Sequence, residues 1–375
     1  MKASVVIGRF QPFHRGHKGL IDQALSVADI CIVLVGSAFS SREPKNPLTF
    51  QERRHLIEAN FPASQRDRLV CLPVIDTLYN DQAWASQVRA NVNMELRRRK
   101  ITEPVVLVGY DKDHSSYYLR LFPEWQLADV EPLVSHGGEG TVLSATQVRH
   151  CLYTSSPVQW AKDTTGENLL AMVGATTLDW LQTFFADRQD VFARLVAENR
   201  FLAEYRAKVD AAEKAWGGWP IFIQTVDAVV VQSGHILLVE RGHLPGEGLW
   251  ALPGGHLEPQ EHLRDGAVRE LIEECCLEGM TATQLGDYIR DQRRYDHPER
   301  SERGRVSTEA FLFELPPSHH LWPVVGQDDA RHAFWVPLAE IDPTGMWEDH
   351  YDIIQDMTGV QPNSLSPYIY AAANK

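Results

Sequence analysis

The chain has 375 residues, 44% hydrophobic and 23% charged, which is globular material long enough for two domains. A formal net charge of −14 argues against a general nucleic-acid or anionic-membrane binder, whose surface would be basic. Nucleotide substrates stay open, because local basic groups and metal ions can hold them. The first residues lack a basic-then-apolar signal, and no apolar run approaches the roughly 18–20 residues that span a bilayer. Cys31, Cys71, Cys151, Cys275 and Cys276 include no CxxC pair, as expected of structural thiols in a reducing compartment. A soluble cytoplasmic protein is expected, with a homo-oligomer left open.

Apolar, β-branched runs at 3–7, 30–35, 69–74 and 105–108 alternate with helical patterns at 17–28, 49–60 and 82–100. This predicts a parallel sheet covered on both faces, with ligands beyond the carboxyl ends of its strands. The first strand opens into Gly8-Arg9-Phe10-Gln11-Pro12-Phe13-His14-Arg15-Gly16-His17 and then a helix. Free N–H groups and the dipole at a helix start attract anions. His14 and His17, at i and i+3, can both face that anion, and Gly16 lets a phosphate approach the backbone. In the loop 36–49, Lys45 is a basic candidate, and Thr49 with Glu52 forms a capping box. Trp84 is either a stacking platform for a flat ring or a core tryptophan. The run Arg97-Arg98-Arg99-Lys100 reads as a solvated helix end that complements the dipole. Asp111 and Lys112 follow the fourth strand as candidates for substrate contact. In Leu143-Ser144-Ala145-Thr146-Gln147-Val148-Arg149, Ser144 and Thr146 would cap a helix and offer hydroxyls to phosphate. Arg149 would aim a guanidinium at the same oxygens.

The string GRFQPFHRGH resembles the archaeal-type nicotinamide-mononucleotide (NMN) adenylyltransferases of the HxGH nucleotidyltransferase superfamily. LSATQVR is similar to that superfamily's ISSTxxR, with Leu for Ile and Ala for the second Ser. The loop 36–49 is similar to its GSA…NPFT..ER region. The resemblance implies a Rossmann-like domain over residues 1–184. His14, His17 and Arg149 would be catalytic. Gly8, Arg9, Phe10, Gly16, Lys45, Ser144 and Thr146 would bind ATP and its phosphates, and Trp84 the nicotinamide ring. The implied reaction is in-line attack by an NMN phosphate oxygen on the α-phosphorus of ATP. Pyrophosphate leaves and NAD remains, with Mg²⁺, or Mn²⁺, assisting. The nucleophile is already an anion, so positioning and electrostatics suffice and no general base is required.

Helical patterning with alternating charge follows from about 167 to 216, and 185–216 reads as a connector. The breaker cluster Gly217-Gly218-Trp219-Pro220 opens a second domain at 217–357, followed by a tail at 358–375. Runs at 225–231 and 235–240, joined by Gln232-Ser233-Gly234, read as a hairpin. Then Gly255 is followed after five residues by Glu261, and after seven more by Arg269-Glu270-Leu271-Ile272-Glu273-Glu274-Cys275-Cys276. A helix over 261–275 would put Glu270, Glu273 and Glu274 on one exposed face, an oxygen-only set suited to Mg²⁺ or Mn²⁺. Arg269 could brace a glutamate, and Glu261 could reach back to the Gly-rich loop. The arginine-rich stretch 290–305 is either a lid or a solvated loop. Strands at 306–315 and 333–336 and a helix at 349–357 complete an α+β domain.

This second constellation resembles the Nudix box, GX5EX7REUXEEXGU, with Cys276 in place of the last Gly. The resemblance implies a metal-dependent hydrolase of nucleoside diphosphates linked to another group. Gly255, Glu261, Arg269, Glu270, Glu273 and Glu274 would form the box, Glu270, Glu273 and Glu274 the metal ligands, and Glu273 a catalytic residue. Fusion to an NAD-forming domain makes ADP-ribose, cleaved to AMP and ribose 5-phosphate, the leading substrate. The architecture resembles the bifunctional adenylyltransferase–Nudix fusions. Two alternatives stay open: a Nudix-like module that only binds a regulatory ligand, and another small phosphate as the front substrate.

Overall fold

The computed structural model describes residues 1–110, 114–130, 142–155, 160 and 169–360. Asp111, Lys112 and most of the tail from 358 lie outside them. The chain divides into two compact units, the first running from Met1 to Ala197 and the second from Glu198.

The first unit contains β1 (Ala3–Gly8), α1 (Arg15–Val27), β2 (Ile30–Val35), α2 (Phe50–Ala59), α3 (Ala63–Arg66), β3 (Leu69–Pro73), α4 (Asp81–Arg99), β4 (Val106–Gly109), β5 (Gln126–Asp129), α5 (Ala145–Thr154), α6 (Leu169–Val173) and α7 (Ala175–Asp187). The helix α8 (Gln189–Ala215) carries the chain across the division as one continuous element. The five strands are parallel in the order β3-β2-β1-β4-β5. Alternation sets the two faces: Val6, Val33 and Val35 enter one core with Ile21 and Leu25 of α1, while Val5, Ile7, Ile32 and Leu34 enter the other with Val88 and Val92 of α4. β5 was not anticipated; its sequence Gln-Leu-Ala-Asp is too short and polar to stand out. The strand order reverses between β1 and β4, so their carboxyl ends open a crevice, and the GRFQPFHRGH loop leaves β1 there.

The second unit contains β6 (Ile223–Gln232), β7 (His235–Arg241), β8 (Trp250–Ala251), β9 (Gly254–His256), α9 (Leu263–Cys275), α10 (Ala282–Asp287), β10 (Ile289–Tyr295), β11 (Val306–Glu314), β12 (Ala330–Pro337) and α11 (His350–Thr358). The sheet is mixed, ordered β10-β11-β6-β7-β12, with β8 on β7 and β9 on β6. β11 runs parallel to β6, and the other pairs are antiparallel. Ala267, Val268, Leu271 and Cys275 of α9 pack into its core. α9 starts at Leu263, leaving Glu261 in the preceding loop, and ends at Cys276 in a left-handed conformation with φ 37°. A side chain there costs on the order of 1 kcal/mol relative to glycine.

The stretch 290–305 is not a solvated loop throughout. Its first part is β10, and Arg300 forms a buried two-pronged ion pair with Asp349, at 2.9 Å on each prong. Charge density alone had hidden a strand whose arginines find carboxylates: Arg293 reaches Asp291 and Asp356, and Arg294 reaches Glu309. Among the described residues no helix is long and apolar enough to cross a membrane.

Candidate functional site

The site of the first unit is built around the start of α1. His14 is the N-cap, and its Nδ1 accepts from the N–H groups of Gly16 (3.1 Å) and His17 (3.4 Å). The Nδ1 of His17 accepts in return from the N–H of His14 (3.3 Å). The two imidazoles thus form a reciprocal capping box, a role usually taken by Ser or Thr with Glu. Their rings stack with centroids 3.6 Å apart. A ring nitrogen that accepts carries no proton, so in each neutral ring the proton sits on Nε2. Burial, then the nearby Arg149 charge, pulls the His14 pKa down to about 3. Burial, then His14, holds His17 well below its usual value. Both rings are therefore neutral donors at pH 7.

Arg149 on α5 donates to the Gln11 carbonyl (2.9 Å) and to the Thr146 hydroxyl (3.2 Å). The motif after β1 and the motif at α5 therefore meet. Ser144 is the N-cap of α5, in a capping box with Gln147, so its hydroxyl is engaged in the helix start. Phe10 points its ring into the core. It is buried at φ 53°, its ring 4.7 Å from that of His17, and it packs over Gly8, where a Cβ would come within 3.2 Å of it. Arg9 is exposed. Lys45 lies 4.0 Å from Glu43 in the loop after β2. Trp84 is half-buried against Tyr118 and Phe122, at 6.1 and 6.0 Å between centroids.

Three residues that hold this site together escaped the sequence reading. Arg53 is fully buried, and its guanidinium donates to the carbonyls of Arg9 (2.7 Å), Gly36 (2.6 Å), Ser37 (2.9 Å) and Thr49 (3.2 Å). Burial lowers its pKa to about 9, which keeps it charged at pH 7. Gln11 is buried and bonds both the N–H (3.0 Å) and the carbonyl (2.7 Å) of Leu48. Asp76 accepts from the N–H of Ser37 (3.0 Å) and from its hydroxyl. All three satisfy loop backbone rather than periodicity, so only the polar character of Arg53 within an otherwise apolar helix face could have signalled them.

In the second unit Arg269 gathers the box. Its guanidinium donates to Glu261 (2.9 and 3.0 Å), Glu270 (2.9 Å), Glu273 (2.8 Å) and the His256 carbonyl (3.1 Å). The three expected ligands do not share one exposed face. Glu273 is exposed, Glu270 half-buried and Glu274 buried, next to the core residues Leu271 and Cys275 of α9. Glu274 accepts from the N–H of Gly254 (2.9 Å). Burial pushes its pKa up to about 8, despite that bond, and burial also raises Glu270. Gly255 admits the Glu270 carboxylate, since a Cβ there would lie 2.5 Å from Oε1. Among the described residues no three His, Cys, Asp or Glu side chains stand gathered as a ready metal cage. The donor set still suits a hard cation: all its ligands are carboxylate oxygens, those of Glu274 buried and those of Glu270 half-buried. Glu274, Gly254 and Gly255 line a cavity of about 130 Å³ together with Arg241, Arg303 and Trp347.

Residues 5–149 match the cytidylyltransferase-like family, and residues 222–357 match the NUDIX domain. A nicotinamide/nicotinic acid mononucleotide adenylyltransferase of Acinetobacter baylyi is 41% identical over 157 residues, covering 42% of this chain and 78% of that one. An ADP-ribose pyrophosphatase of Methanocaldococcus jannaschii is 27% identical over 165 residues, 44% of this chain and 83% of that one. The crystal structure of a bifunctional NMN adenylyltransferase/ADP-ribose pyrophosphatase from Francisella tularensis, complexed with AMP and a manganese ion, superimposes with a TM-score of 0.81. It is 32% identical, and the match covers 96% of this chain and 98% of that one. A stacked-histidine anion site in one unit and a braced carboxylate helix in the other, matched over nearly the whole length, place this chain among the bifunctional NMN adenylyltransferase/ADP-ribose pyrophosphatases.

Proposed function

We propose that the first unit joins NMN to the adenylyl group of ATP, giving NAD and pyrophosphate. The observation that carries this is the reciprocal histidine cap, with Arg149 beside it. Two neutral Nε2–H groups and a guanidinium can stabilise charge on the phosphates as the NMN oxygen bonds to the α-phosphorus and the bond to pyrophosphate breaks. Lys45, in the loop after β2, and Thr146, in the first turn of α5, are further phosphate contacts, and Trp84 supplies an aromatic face for the nicotinamide. Residues 1–184 are assigned to this domain, 185–216, which span the division at Ala197, to the connector, and 217–357 to the hydrolase.

The second unit, in the same proposal, hydrolyses ADP-ribose to AMP and ribose 5-phosphate. Glu270, Glu273 and Glu274 would hold a divalent ion, Mg²⁺ by preference and Mn²⁺ as a substitute. Such an ion supplies Lewis acidity to the diphosphate and lowers the pKa of attacking water. Arg269 and Glu261 fix the carboxylates in position, and Gly255 keeps the loop close to them. The presence of all three glutamates supports catalysis over a purely regulatory module. A cytoplasmic location fits both substrates. Purified protein with ATP, NMN and Mg²⁺ should release NAD and pyrophosphate, and with ADP-ribose should release AMP. Glu273→Gln should abolish only the second reaction. Absence of AMP from the wild-type reaction would refute the hydrolase.

A further inference from the structure

The cavity of the second unit holds two arginines that the box does not use. Arg241 ends β7, and its guanidinium lies 4.7 Å from the centre of the Trp347 ring; that of Arg303 lies 5.9 Å from the same ring. Trp347 is itself buried, with Gly246 pressed so close that a Cβ there would come within 2.1 Å of the ring. The platform is therefore fixed. Arg241 donates through Nε to the Pro245 carbonyl (2.9 Å), and Arg303 is held by the Ser301 hydroxyl (3.1 Å) and by Glu348 (3.4 Å). Arg300, the third arginine lining the cavity, is occupied by Asp349 and belongs to the scaffold.

The two cations are close enough to repel, and Arg303 depresses the Arg241 pKa after burial does; Glu348, Glu274 and Asp329 act against this. Stacking a guanidinium on a ring uses its face and leaves N–H edges for a planar or tetrahedral anion. Each fork can serve one phosphate in two-pronged fashion. Glu274 and Gly255 line the same cavity, so an anion held there lies beside the bond to be cut.

We propose that Arg241 and Arg303, mounted on Trp347, are the residues that grip the diphosphate bridge of the substrate. This rests on the hydrolase reading above. The grip also receives the negative charge that passes to the departing phosphate when the bridging P–O bond breaks.

The test is binding to the full-length protein in EDTA, by calorimetry, with ADP-ribose, inorganic pyrophosphate and adenosine as probes. Arg241→Met and Arg303→Met keep the packing on Trp347 and remove the charge. Each should weaken ADP-ribose binding about tenfold or more and leave adenosine unchanged. The first unit also receives nucleotides, so the quantity read is the difference between wild type and variant. NAD synthesis by the same preparation, unaltered, shows that the variant is folded. Unchanged ADP-ribose affinity in both variants, or an equal loss for adenosine, would overturn the proposal. If wild type hydrolyses no ADP-ribose yet loses pyrophosphate binding on Arg303→Met, the grip stands and the substrate reading falls.

Discussion

His14 and His17 accept backbone protons through Nδ1, and this fixes what they can do. They are donors through Nε2 and not general acids, because burial keeps them neutral far below pH 7. The cap and the donor can be separated. Asparagine is a strong N-cap, so His14→Asn should keep the melting transition within about 1 kcal/mol of wild type. It should still lower NAD synthesis on the order of 10²-fold or more, the typical loss of one preorganised donor. The same rings make stability depend on acid. Their folded pKa values lie below the unfolded value of about 6.5, so the unfolded chain binds more protons. Their contribution is full above that pH and declines as pH falls towards the His14 value of about 3. Denaturant melts of the full chain between pH 7 and 4 should show this decline, and His14→Asn should flatten it. The motif was legible because it joins a strand end to a helix start. The tautomer was not legible, since it depends on which backbone N–H each ring meets.

Elements were read best where apolar periodicity is strong and worst where charge masks it. β1, β2, β3 and α9 announce themselves by buried runs and spacing. β10, written Ile-Arg-Asp-Gln-Arg-Arg-Tyr, looks like a loop until its arginines are given partners. The same masking hid the tie that fixes the turn after it. Arg300 and Asp349 are both almost inaccessible, so Arg300→Ala takes the two-pronged guanidinium from a buried carboxylate and should cost about 3–5 kcal/mol in urea unfolding. Replacing both partners with apolar residues of similar size should recover most of that loss. Arg53 shows the complementary failure: a charged residue inside an amphipathic helix reads as surface, yet it serves four loop carbonyls.

At the scale of the molecule, two units carry separate core clusters and separate constellations of polar side chains. Each site draws its proposed groups from one unit. Loss of one reaction should therefore spare the other: His17→Ala should leave ADP-ribose hydrolysis within about twofold of wild type, and Glu273→Gln should do the same for NAD synthesis. Steady-state rates on one preparation of each variant check this. Cross-inhibition by these substitutions would contradict the assignment of groups to units. Two signature strings, each tied to a strand–loop–helix context, made the pairing of activities readable before any geometry. The extent of each unit was less readable, because α8 crosses the division without a break in its pattern.

The cap at α1 also bears on how this gene can change. The instruction to begin a helix and the groups proposed for adenylyl transfer are encoded by the same two codons. Most single changes at His14 or His17 thus tax folding and chemistry together, and such alleles leave few well-made but silent copies. A lineage that retires the first activity while keeping the second would more readily do so through Arg149, whose loss leaves the helix start of α1 intact.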